Sequence, residues 1–118
     1  MPIKKIVVPA DITIKDFLTD VSQGVVETWD HFLKIMLLSP GLQSEYLGVV
    51  TAVAVNKANS ERTGSELLVA EDDWQRLKAV IEKPSYYDKS GGITAGFPFP
   101  PVVSMQLYPF MQAIVNAK

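Results

Sequence analysis

The sequence predicts an α+β fold that is mainly helical, with three to four helices and a short N-terminal β-hairpin or small sheet. Three observations carry that expectation. Apolar residues recur at helical spacing from Trp29 onward, β-branched residues alternate or cluster near the start, and proline- or glycine-bearing breaks separate these stretches. The chain has 118 residues, 47% of them hydrophobic, which is enough for one core, so residues 1–118 are expected to form a single domain.

Ile3 to Val8 alternates weakly and then becomes a β-branched run ending at Pro9, the pattern of a strand at a sheet edge. Ala10 to Asp16 alternates with Ile12 and Ile14 on one face. It is either a second short strand or an extended lead-in, with Phe17 and Leu18 anchoring a turn through Thr19 to Gly24. Thr28 is placed to cap a helix from Trp29 to Leu38, whose apolar stripe is Trp29, Phe32, Leu33, Met36 and Leu37. Ser39-Pro40-Gly41 breaks that pattern and suits a fresh helix start. The stretch Leu42 to Lys57 carries Tyr46, Leu47, Val49, Val50, Val53 and Ala54 at helical spacing. Its β-branched content leaves a strand at Gly48 to Val55 as the alternative to the favoured helix.

Asn59 to Gly64 is polar and predicts an exposed loop, and Ser65 to Val69 a short strand. The clearest helix follows at 71–83, with Trp74, Leu77, Val80 and Ile81 on one face. Glu71, Asp72 and Asp73 lie where they oppose the helix dipole, and Pro84 ends it. Residues 84–101 form a long connection with four prolines, three glycines and four aromatics. Val102 to Ala117 carries a last helical stripe, at which Pro109 marks either a kink or a true helix start. Trp29, Tyr46, Trp74, Phe110 and the four methionines are expected in the core, because aromatics at helical spacing usually pack inward.

Composition excludes several classes. With 11 basic and 13 acidic residues the net charge is −2, so no nucleic-acid partner is expected. No apolar run approaches the roughly 20 residues needed to span a bilayer, and the apolar run before Pro9 is too short for a signal peptide. There are no cysteines, which removes disulfides, thiolate nucleophiles and cysteine-ligated zinc and fits a cytoplasmic protein. The single histidine, His31, falls inside the first predicted helix with no nucleophile elbow elsewhere, so no catalytic residue is assigned. Glu71-Asp72-Asp73 does not converge on one ion, since adjacent helical side chains point roughly 100° apart. No metal site or cofactor is expected.

The candidate site is the 84–101 connection. Tyr86, Tyr87, Phe97 and Phe99 supply flat apolar faces, Lys89 adds a cation, and the prolines stiffen the backbone. This composition suits a protein partner or a small stacking ligand. Equally, Phe97 and Phe99 can plug into the domain's own core and hold the loop down. The glycine amides near Lys89 offer a weak anion cradle for a nucleotide-type ligand. The wide apolar stripes exceed what a small domain covers, which predicts a homo-oligomer.

The segments Val8 to Leu18, Phe32-Leu33 with Leu37-Leu38, and Glu71 to Lys78 give the chain a pattern that resembles small accessory proteins of tailed bacteriophages and prophages. The resemblance implies a virion, assembly or host-interaction protein, in the host cytoplasm or the virion, and transfers no functional residue. The expectation is therefore a non-enzymatic oligomeric protein-interaction domain. The alternative is a small-ligand binding or sequestering protein that uses 84–101.

Overall fold

The computed structural model describes residues 2–16 and 18–118. In chain order the elements are β1 (Ile3–Val7), β2 (Ile12–Lys15), β3 (Ser22–Glu27), α1 (Trp29–Leu37), α2 (Pro40–Gln43) and α3 (Tyr46–Glu61). They continue with β4 (Glu66–Ala70), α4 (Glu71–Glu82), β5 (Ser85–Tyr87), β6 (Ile93–Ala95), α5 (Pro101–Gln106) and α6 (Tyr108–Val115). The fold is α+β, and an N-terminal hairpin is present, built from β2 and β3. The strands form three separate antiparallel pairs, β1 with β4, β2 with β3 and β5 with β6. The molecule is flat, 47 × 38 × 20 Å.

The β1–β4 pair runs in the register Ile3↔Ala70 to Val7↔Glu66, so one face collects Ile6, Leu67 and Val69 and the other Ile3, Val7 and Leu68. The first set is buried and the second exposed, as the two-residue period of a strand requires. The helices α1, α4 and α6 pack around Phe32, Leu33, Leu77, Phe110 and Ile114. Phe32 and Phe110 have ring centroids 5.3 Å apart, and Trp29 meets Phe110 edge-on at 5.9 Å. Both indoles bury with their N–H satisfied. Trp29 Nε1 donates to Asn59 Oδ1 at 2.9 Å and Trp74 Nε1 to the Ile114 carbonyl at 2.7 Å.

Several elements form as the sequence predicts. Thr28 accepts from the His31 amide at the start of α1, Ser39 caps α2 with Pro40 at its first position, and 71–82 is helical. Residues 48–55 are helix rather than strand. Other expectations are corrected. The turn expected through Gly24 gives way to strand from Ser22, because Val25 and Val26 pair with Ile14 and Thr13. Phe17 lies outside the described residues, and Leu18 is 90% exposed and anchors nothing. The turn is held instead by Asp16, whose carboxylate accepts from the Leu18 and Thr19 amides.

The loop expected from Asn59 begins only after Glu61. Asn59 is polar but faces inward, donating to Asp30 at 2.7 Å while its carbonyl oxygen accepts from Trp29 and Arg62. Residues 84–101 are not a structureless connection, since β5 and β6 fold within them as a hairpin. The C-terminal stripe splits at Leu107 into α5 and α6, because Pro109 in the first turn of α6 cannot donate a backbone hydrogen bond. Tyr46 and Met105, expected in the core, are 80% and 60% exposed. Met36 and Met111 are buried as expected, and Met1 lies outside the described residues.

Candidate functional site

The hairpin at 85–95 is organised by one carboxylate. Asp88 Oδ1 accepts from the Ser90 amide, the Ser90 hydroxyl and the Gly92 amide at 2.9, 2.6 and 3.0 Å, and Oδ2 from the Thr94 hydroxyl at 3.1 Å. Those bonds, led by the Ser90 hydroxyl and reinforced by the backbone amides, hold the Asp88 carboxyl below its ordinary value. Gly91 takes φ 85°, a turn conformation that favours glycine, and donates to the Asp88 carbonyl. The glycine amides that could have cradled an anion are therefore occupied, and a carboxylate already sits in their midst.

The five residues singled out in 84–101 do not converge. Tyr87 and its cross-strand partner Ile93 are exposed near the hairpin tip, Lys89 is exposed in the turn, and Tyr86 is half-buried. Phe97 and Phe99 turn the other way and pack against the core, with Phe99 stacked on Phe32 at 6.2 Å and 16° between ring planes. Gly96, at φ 116°, donates to the Pro84 carbonyl and lets the chain leave β6 toward those two seats. Exposed Tyr87 and the core-packed phenylalanines thus belong to opposite sides of the segment.

A larger apolar surface lies on α3. Gly48, Thr51, Ala52, Val55 and Asn59 are buried, a stripe at i, i+3, i+4, i+7 and i+11. Half a turn away, Tyr46, Val49, Val50 and Val53 repeat the i, i+3, i+4, i+7 spacing on the exposed side, flanked by Leu47. From Tyr46 to Val55 the helix is therefore apolar nearly all round, a pattern that belongs to a helix covered on every side. Here one side is bare. Beyond it the exposed face turns polar with Asn56, Lys57, Ser60 and Glu61.

The small residues explain which stripe faces inward. Gly48 sits against the end of α2, with no room for a side chain beside the Leu42 backbone. Thr51 reaches α4, donating to Asp73 at 2.6 Å and accepting from Arg76 at 3.2 Å, so Asp73 of the acidic triplet is committed to this joint. Next to the exposed stripe, Leu38 protrudes at 66% exposure from the end of α1. Between α1 and α3 runs a cleft of about 340 Å³ lined by Leu37, Leu38, Ala52 and Val53, with Lys34, Gln43 and Asn56 also on its walls.

His31 lies on the exposed side of α1, with Nδ1 2.6 Å from Glu27 Oε1. Among the described residues no three His, Asp or Glu side chains are grouped to hold a metal, and no helix is long and apolar enough to cross a membrane. No family model matches the chain, and neither a curated protein nor a solved structure is significantly similar to it.

Proposed function

We propose that this chain is a non-enzymatic, homo-oligomeric protein-interaction domain encoded by a phage or prophage, with a virion, assembly or host-interaction role. The observation that carries the reading is the exposed apolar stripe Tyr46, Val49, Val50 and Val53 on α3, contiguous with Leu47 and close to Leu38. Small monomeric domains seldom leave so continuous an apolar patch in water, and symmetric association is the commonest way to cover one. The Tyr87–Ile93 pair at the hairpin tip adds a second, smaller apolar contact for a protein partner. The small-ligand alternative loses its anion cradle to Asp88, so the interaction reading is the better supported.

Native mass spectrometry of the freshly purified 118-residue chain tests this. A mass of two or more 13.0 kDa protomers with no added mass supports the proposal. A monomer carrying a bound species of small-molecule mass would replace it with the ligand reading.

A further inference from the structure

We infer that the α3 face is closed by a second copy of this chain, docked antiparallel about a two-fold axis that passes between Val49 and Val50. Tyr46 of each copy is then seated in the α1–α3 cleft of the other. The inference rests on the self-association proposed above and supplies the partner, the register and the anchor residue.

Self-complementarity carries it. A two-fold interface must bring a surface to itself, so a protrusion on one copy needs a matching recess elsewhere on the same patch. The exposed stripe has both. Tyr46, at 80% exposure, is its most protruding large side chain, and the cleft beside Val53 is its recess. Seven residues separate Tyr46 from Val53, about 10 Å along the axis at the helical rise. An antiparallel pair centred between Val49 and Val50 places each Tyr46 opposite the other copy's Val53 and each Val49 opposite a Val50.

Side-chain direction agrees with that register. A long helical side chain leans toward its own N-terminus, which in an antiparallel pair is toward the C-terminal end of the facing helix. Tyr46 therefore leans past Val53 toward Asn56, which lines the cleft. The ring meets Leu37, Leu38 and Ala52, while Lys34, Gln43 and Asn56 offer polar partners to the phenol hydroxyl. Parallel docking would instead set Tyr46 on Tyr46 and Lys57 on Lys57 and leave both clefts unfilled. In the antiparallel pair Glu45 comes within a turn of the other copy's Lys57, bringing opposite charges together.

The area suffices. Leu38, Tyr46, Leu47, Val49, Val50 and Val53 expose on the order of 600 Å² per copy, so complete burial of both faces reaches the lower end of the roughly 1,200–2,000 Å² of specific interfaces.

The chain has no cysteine, so an introduced thiol is unique. Val50→Cys lies beside the proposed axis and is expected to form a disulfide-linked dimer under mild oxidation. Tyr46→Cys alone should not, because its two copies sit about 10 Å apart along the helices, beyond disulfide reach. Mixed Tyr46→Cys and Val53→Cys chains should cross-link. In the unmodified background Tyr46→Phe should keep the association and Tyr46→Ala weaken it about tenfold or more, as loss of an interface anchor does. An oligomeric wild type whose Val50→Cys variant stays unlinked, or whose Tyr46→Cys variant links readily to itself, overturns this geometry and leaves the proposed function standing. A wild type that is monomeric at every concentration overturns both.

Discussion

Replacing Gly48 by alanine probes the contact that decides which face of α3 is buried. In an exposed helix the change would stabilise by about 1 kcal/mol, since glycine is the poorer helix former. At Gly48 the new Cβ would fall 2.6 Å from the Leu42 carbonyl carbon and 2.7 Å from its Cα, well inside van der Waals contact. Those atoms are backbone at the end of α2 and cannot swing aside as a side-chain tip can. Relief requires α2 to shift against α3, disturbing the buried seat of Leu42. Overpacking of this kind costs about 1–3 kcal/mol and more where backbone must move, so a net loss of about 2 kcal/mol is expected. For a chain of this length that lowers Tm by about 8 °C. Thermal unfolding followed by circular dichroism, with Ala54→Gly as an exposed-position control, reads it directly. Gly48→Ala with an unchanged or raised Tm would refute the buried assignment of this face and the outward assignment of Tyr46 and Val53.

Other outcomes follow from the same contacts. Phe99→Ala should cost about 2–3 kcal/mol in urea unfolding and leave the oligomer mass unchanged, whereas Tyr87→Ala should stay within about 0.5 kcal/mol, because only Phe99 is stacked on the core. Asn59→Ala should cost about 1–3 kcal/mol by removing the acceptor of the buried Trp29 N–H, and tryptophan fluorescence should shift with it. For Asp88 the folded carboxyl titrates below its unfolded value, so its contribution is present above the ordinary carboxylate range and is lost as pH falls through the folded value. Protection of the Gly92 amide, taken relative to its intrinsic exchange rate at each pH, should therefore fall in strong acid. Asp88→Ala should show the lowered protection already at neutral pH, and equal protection in that variant would contradict the role of the clasp.

Where one face of an element is apolar and the other charged, the sequence is enough to place it. The helix at 71–82 and the capped helix from Trp29 are of this kind, and their buried residues are the expected ones. In α3 the periodicity was legible and the direction was not. Two stripes of equal spacing lie half a turn apart, and the bulkier one, with Tyr46 and the valines, faces out. The signal that resolves them is residue size. Gly48 and Ala52, four apart, mark the side of close approach, Gly48 against α2 and Ala52 beside α1. The candidate site was legible only as a segment. Its proline and aromatic content singled out 84–101, but the division between core-facing Phe97 and Phe99 and outward Tyr87 depends on the Asp88 turn and on Gly96. β3 is not legible in the sequence because all of its residues except Glu27 are exposed, which leaves no apolar alternation to read.

Sedimentation equilibrium of the 118-residue chain across micromolar concentrations, beside a Val53→Glu variant, reads whether the α3 face closes on a second copy. The wild type is expected at no less than twice 13.0 kDa and the folded variant at the protomer mass, since a buried unpaired carboxylate would oppose closure of the α3 face. A wild type at 13.0 kDa throughout, or a Val53→Glu variant that associates as strongly as the wild type, would contradict it.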